Sequence, residues 1–154
     1  FVVAAHDVLL GKTEPGNRVV VIGGGLVGAE TADMLGQQCE QVTIIEMLPQ
    51  IMKDGEAAPT KYMKEWFSQN GVQIHTSTKL LEIGDHTVTA EKDGERFVLE
   101  NIDTVIIAVG VKTDGTLLDS MEHVSCKVLK VGDANGVKNG YLGIREGYEA
   151  GLNA

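Results

Sequence analysis

Residues 18–30 read Arg-Val-Val-Val-Ile-Gly-Gly-Gly-Leu-Val-Gly-Ala-Glu, and no other stretch restricts the fold as tightly. An apolar run ends in Gly23-x-Gly25-x-x-Gly28 and passes directly into helix-forming residues. A second apolar run, Thr43-Ile44-Ile45, ends in Glu46, 18 positions after Gly28. A strand, a tight turn, a helix and a second strand ending in a carboxylate make the unit that binds the pyrophosphate and adenosine ribose of a dinucleotide.

Each position has a physical task. Gly23 allows a sharp turn at the strand end, Gly25 lets phosphate oxygens reach the backbone, and Gly28 lets the helix lie close to the strand; Gly24 between them is counted with the cofactor-binding residues. The helix begins near Leu26 and Val27, whose free N–H groups and positive dipole end face the pyrophosphate. Glu46 accepts hydrogen bonds from ribose hydroxyls, and its charge repels a 2′-phosphate. The residues after it are Met47, Leu48 and Pro49, with no arginine and with Lys53 as the nearby cation. The pattern therefore favours NAD(H) over NADP(H). A glycine triplet alone also fits a purely structural turn; the strand, helix and distant acid together favour the dinucleotide.

The 154 residues suffice for one domain with a real core. The net charge of −9, with no lysine or arginine cluster, argues against nucleic acid and anionic membrane surfaces as partners. No apolar run approaches the roughly 18 residues of a membrane span. The chain opens on Phe1 with no initiator methionine and no signal-peptide pattern, so it reads as a piece of a longer protein. Cys39 and Cys126 form no CxxC pair and read as reduced thiols of a cytoplasmic protein. His6, His75, His86 and His123 stand at no metal-ligand spacing, and no metal site is expected. There is no Tyr-x-x-x-Lys pair and no nucleophile elbow, so no catalytic residue is assigned; the chain alone is expected to bind without turnover.

Residues 1–17 read as a lead-in, with a short helix stopped by Gly11 and a turn at Glu14–Asn17. Strand 18–22, helix 26–37 and strand 42–46 follow. The inward stripe of the helix is read as Leu26, Val27, Ala29, Ala32 and Leu35. Pro49–Ala58 is a loop whose Lys53-Asp54-Gly55-Glu56 is polar and expected to be mobile. A second helix over 59–69 places Tyr62, Met63, Trp66 and Phe67 at core spacing, and Asn70-Gly71 stops it. After a short strand at 72–75, segments 79–83, 86–92 and 96–100 alternate as three antiparallel strands; Asp93-Gly94 is a strong hairpin signal. Residues 103–110 are a central parallel strand, whose end at Ala108, Val109 and Gly110 borders the ligand crevice of an open α/β sheet. Beyond it come helical residues at 116–121, a strand at 126–131 stopped by Gly132-Asp133, and a final helix at 144–152. The expected fold is a Rossmann-like three-layer α/β domain, with helices on one side of a parallel sheet and the meander on the other.

This order resembles the NAD(P)H-binding domain of flavoproteins with two dinucleotide-binding domains, which include the disulfide reductases. The lead-in Val3-Ala4-Ala5-His6-Asp7-Val8-Leu9-Leu10-Gly11-Lys12 narrows the likeness to the C-terminal half of NADH:flavin oxidoreductases fused to an old yellow enzyme-like barrel, such as 2,4-dienoyl-CoA and enoate reductases. The resemblance implies that residues 1–17 hinge from an absent FAD domain, that 18–110 bind NAD(H), and that 111–154 return toward the FAD domain. It gives Gly132 and Asp133 to the FAD ribityl chain, as half a site, and places Glu30 near the nicotinamide; a first-turn acid serving the helix dipole fits Glu30 equally. It implies a parent enzyme that passes hydride from NADH to FAD, then electrons through an iron–sulfur cluster to FMN, reducing an activated carbon–carbon double bond. The chain departs from the family pattern at Val111-Lys112-Thr113-Asp114, where proline is usual, and it lacks the first FAD glycine motif. Other readings stay open: the nicotinamide domain of a disulfide-reductase or NADH-oxidase type flavoprotein, a non-catalytic module holding ADP, or a scaffold domain with a decayed nucleotide site.

Overall fold

The computed structural model describes residues 1–53, 57–121, 123–137 and 139–154. It divides into two compact units, Phe1–Gly110 and Val111–Ala154.

In the first unit, β-branched runs become parallel strands because both of their faces are covered. Strands β1 (Val2–Ala4), β2 (Arg18–Ile22), β3 (Gln41–Ile45), β4 (Gln73–His75) and, later in the chain, Thr104–Ile107 form one sheet. With the meander strands β5 (Thr78–Gly84), β6 (Thr87–Lys92) and β7 (Glu95–Leu99) counted first, Thr104–Ile107 is β8. The sheet order is β1-β8-β2-β3-β4, with every pairing parallel. The helices are α1 (Ala5–Leu9), α2 (Leu26–Leu35) and α3 (Ala57–Gln69).

Side-chain alternation along β2 sorts the two cores. Val19 and Val21 join Val42, Ile44 and Ile106 against Ala29, Ala32 and Leu35 of α2, Val8 of α1 and Phe67 of α3. Val20 and Ile22 join Ile45 and Val105 against Val88 and Ala90 of the meander. Asp93 and Gly94 both take positive φ, 53° and 83°, as the expected two-residue hairpin turn requires. The three-layer α/β fold is therefore as read from the sequence.

Several local readings are corrected. The buried stripe of α2 is Gly28, Ala29, Thr31, Ala32 and Leu35; Leu26 and Val27, which open the helix just after the end of β2, are 45% and 48% exposed. Phe67 is fully buried with Met63 and Trp66 packed beside it, but Tyr62 is 70% exposed. The lead-in carries β1, an edge strand paired with β8 that its three residues did not announce. Asp54-Gly55-Glu56, expected to be a mobile loop, lies outside the described residues.

The second unit contains α4 (Thr116–Asp119), a 3₁₀ turn at Gly132–Asn135 and α5 (Gly140–Leu152). Residues 126–131 form no strand: a strand persists only where a neighbour takes its ladder hydrogen bonds, and none does so among the described residues. Helix α5 begins four residues earlier than expected, capped by Asn139, whose side-chain oxygen accepts the Leu142 N–H at 2.9 Å. No helix among the described residues is long and apolar enough to cross a membrane.

Candidate functional site

The sheet order reverses between β8 and β2: the chain winds from β2 through β3 to β4, then returns to β8 on the other side. The crevice beyond the carboxyl ends of these two strands is where ligands bind in open α/β sheets. Two loops meet there. One is the glycine turn after β2; the other is Ala108-Val109-Gly110 after β8. They are tied by the Ala108 N–H, which donates to the Ile22 carbonyl at 2.8 Å.

The three spaced glycines are distinguished by what a side chain would strike. Gly23 has φ +103°, and a Cβ there would lie 2.5 Å from the Ala108 carbonyl oxygen. A Cβ on Gly28 would lie 1.9 Å from the carbonyl oxygen of Gly23. These two are demanded by the protein's own packing. At Gly25 a Cβ would meet nothing within 4 Å. That glycine keeps space open, as an anion approaching the backbone requires.

Gly25 is also the N-cap of α2 and offers no side-chain cap. The N–H groups of Leu26, Val27 and Gly28 belong to the first helical turn, and that turn's dipole end faces the same opening. Leu26 and Val27 flank it with exposed apolar side chains. Glu30 is the fifth residue of α2, one turn in and exposed, rather than in the first turn as expected. Its neighbours along the helix surface are Leu26 and Val27. Val109 is 70% exposed, and Gly110 takes φ +92°.

Glu46 lies one residue past β3, and its carboxylate is already organised. Oε2 accepts the Gly24 N–H at 2.6 Å, and Oε1 accepts the Leu48 N–H at 2.7 Å. Its backbone is held from both sides, with its N–H on the His75 carbonyl and its own carbonyl accepting the Thr78 N–H, each at 2.9 Å. A carboxylate oxygen has two acceptor positions, so each still has capacity for a hydroxyl donor. The acid that the sequence places opposite the ribose is therefore bonded directly to the glycine turn.

Two residues of this site carried no sequence signal. Ile51 is buried against Gly24, where a Cβ would come 2.5 Å from its Cγ2. Met52 is buried with φ +52°, and its N–H donates to the Gly24 carbonyl at 2.7 Å. A methionine in the left-handed region is not a pattern that residue type announces.

His75 closes β4 beside the meander, its ring 5.3 Å from that of Phe97. Burial, then the charge of Lys92, holds its pKa below the ordinary histidine value. Cys39 donates to the Gly16 carbonyl at 3.4 Å; burial, then the Asp103 carboxylate, raises its pKa. Cys126 is exposed, and neither cysteine is in a disulfide. No group of three or more metal-ligating side chains occurs among the described residues.

Gly132 and Asp133 belong to the second unit. Gly132 has φ +59°, and its N–H donates to Oε2 of Glu146 at 2.8 Å. The Asp133 carbonyl accepts the Thr113 hydroxyl at 2.7 Å.

A family described as pyridine nucleotide-disulphide oxidoreductase matches residues 2–137. A bilirubin reductase of Mediterraneibacter gnavus is 37% identical over 146 residues, 90% of this chain and 23% of that protein. A cinnamate reductase of Clostridium sporogenes is 31% identical over 155 aligned positions, 99% of this chain and 23% of that protein. A solved 2-naphthoyl-CoA reductase superposes with a TM-score of 0.86 at 27% identity, over 99% of this chain and 23% of that one. The chain thus spans about a quarter of the length of these relatives.

Proposed function

Because the chain belongs to the pyridine nucleotide-disulphide oxidoreductase family, we propose that it supplies the NADH site of a flavin-dependent oxidoreductase. Gly23, Gly24, Gly25, Leu26, Val27 and Gly28 cradle the pyrophosphate. Glu46 holds the adenosine ribose. Ala108, Val109 and Gly110 border the nicotinamide side, with Glu30 on the adjoining helix face. The observation that carries this reading is the pairing of an open space at Gly25 with a carboxylate bonded to Gly24. The first admits a phosphate, and the second stands where the sugar follows it.

Asp133 is exposed at the start of a turn whose preceding glycine has positive φ, which suits a polyol hydroxyl of FAD. FAD, when bound by the whole protein, supplies hydride acceptance and onward electron transfer. The part of this chain is to bind NADH, fix its orientation and exclude the 2′-phosphate form. A four-thiolate cluster finds no ligand set in a chain with two cysteines, so an iron–sulfur cluster is assigned outside it, and the resemblance places FMN in the barrel. Residues 111–154 lead back toward the FAD-binding part, and the family arrangement is that of the barrel-fused NADH:flavin oxidoreductases. The whole protein then reduces an activated carbon–carbon double bond; the relative named for cinnamate, a conjugated acid, supports that substrate class.

Calorimetric titration with NADH, NADPH and ADP tests the reading. NADH is expected to bind more tightly than either of the others, and Glu46→Ala is expected to weaken NADH more than NADPH. Equal affinity for ADP and NADH would instead make the site a nucleotide-holding fixture, and an unchanged NADH/NADPH ratio in the variant would remove the ribose role from Glu46.

A further inference from the structure

We propose that Met52 is a positioning residue for the pyrophosphate, acting through its backbone by fixing which way the Gly25 N–H points. The inference rests on the reading of the glycine turn as a dinucleotide site.

Consecutive peptide units of the turn are held one by one. The Gly23 carbonyl faces Gly28, since it is the atom that a Cβ there would strike. The N–H of the same peptide unit, on Gly24, is taken by Glu46 Oε2 at 2.6 Å. The next unit begins with the Gly24 carbonyl, which accepts the Met52 N–H at 2.7 Å. In a planar trans peptide, the carbonyl and the following N–H point in opposite directions. The Gly24 carbonyl is drawn toward Met52, so the Gly25 N–H is turned away from it, onto the exposed side of the turn. Gly25 itself is exposed and has open space before it.

Met52 makes this bond in an unusual backbone state. Its φ of +52° lies in the left-handed region, which methionine seldom enters. Its side chain is buried in the same core as Ile51, Val21 and Ile44. The packed side chain holds the strained backbone in place, and that backbone orients the turn. Sequence comparison of residue types would see only a buried hydrophobe.

Two substitutions separate orientation from packing. Met52→Val keeps more of the buried volume, but β-branching opposes positive φ and pulls the N–H off Gly24. Met52→Gly empties more volume but accepts the φ without cost. ADP affinity is expected to fall about ten-fold in Met52→Val, as for loss of one hydrogen bond to a charged group, and to stay within about two-fold in Met52→Gly. A packing role predicts the reverse order, and that order would overturn the proposal. Should Met52→Val not fold, the unmodified protein decides. On addition of ADP the Gly25 amide proton should move strongly downfield in a ¹H–¹⁵N spectrum, and adenosine should leave it in place. An unmoved Gly25 amide in a protein that does bind ADP overturns the role of Met52 alone; absence of ADP binding removes the dinucleotide reading beneath it.

Discussion

Replacing Gly28 by alanine sets two effects against each other with opposite signs. Alanine favours helix over glycine by up to about 1 kcal/mol, so propensity alone predicts a more stable protein. The structure places the new Cβ 1.9 Å from the Gly23 carbonyl oxygen, a backbone atom that cannot swing aside. Carbon and carbonyl oxygen normally approach no closer than about 3.3 Å, so α2 and the turn must part by roughly 1.4 Å. Overpacking of this kind costs about 1–3 kcal/mol. The contact wins, and a net loss of about 1–2 kcal/mol lowers the melting temperature by roughly 2–8 °C. The same displacement withdraws the helix N–H groups from the anion, so ADP affinity drops at least ten-fold, by analogy with the loss of one charge-assisted hydrogen bond. Gly25→Ala is the control. With φ of −66° and no atom within 4 Å, its methyl group fits. The melting temperature should stay within a few degrees, since the lost backbone entropy of the unfolded chain offsets a poorer N-cap. Its ADP affinity should nonetheless fall about ten-fold or more, because the methyl fills the space a phosphate needs. Differential scanning calorimetry and ADP titration of both variants decide the matter. A raised melting temperature in Gly28→Ala, or wild-type binding by Gly25→Ala, would refute the assignment of roles.

Glu46→Gln leaves one of two backbone donors, on Gly24 or Leu48, facing an amide N–H₂ in place of an acceptor. Urea unfolding should show a loss of about 1–2 kcal/mol even without ligand. His75 has its pKa held below the ordinary value in the folded state. Its stabilising contribution is therefore complete above pH 6.5 and lost as pH falls through the folded value; melting temperatures measured from pH 7.5 to 5 should decline less in His75→Asn. Cys126 is exposed and should react at once with a thiol reagent at pH 8, whereas Cys39, partly buried and raised in pKa, should lag until denaturant is added. ADP affinity should be flat or rise slightly between 0.05 and 0.5 M salt, because screening weakens the repulsion from a net charge of −9; a steep fall would reveal a lysine or arginine clamp instead.

The glycine turn, its flanking strands and the acid at 46 were legible because each is a local requirement. Gly28 answers a contact with the Gly23 carbonyl, five residues before it, and Gly23 needs its own φ of +103°; Asp93-Gly94 needs only its own two dihedral angles. What could not be read depends on distant neighbours. Val2–Ala4 is too short to show alternation, and becomes a strand only because β8 lies alongside. Residues 126–131 alternate well enough for a strand but find no described partner. Leu26 and Val27 fit a helical stripe, yet the buried stripe begins only at Gly28. Met52 is the extreme case, since its role resides in a dihedral angle and a backbone N–H that every residue type except proline shares.

The absence of cationic side chains from the proposed pyrophosphate cradle explains why the backbone is held so tightly. With the Gly23 N–H on the Ile45 carbonyl and the Gly24 N–H on Glu46, the turn can offer an anion only the peptide N–H groups of Gly25, Leu26, Val27 and Gly28 and the end of a helix dipole, and Glu46 adds negative charge beside them. Peptide dipoles attract an anion only when aligned before it arrives, because reorienting them on binding would consume the interaction. The contacts around the turn meet that need. Glu46 holds the Gly24 N–H, Met52 holds the Gly24 carbonyl, and the Ala108 side chain lies where a Cβ on Gly28 would come within 3.3 Å. Two of these anchors, Glu46 and Met52, come from the segment after β3 and the third, Ala108, from the segment after β8; β3 and β8 flank β2 in the sheet, which brings both segments to the glycine turn. On the proposed reading, the fold would thus do for the anion what lysine or arginine would do elsewhere, and Glu46 would be left to read the sugar.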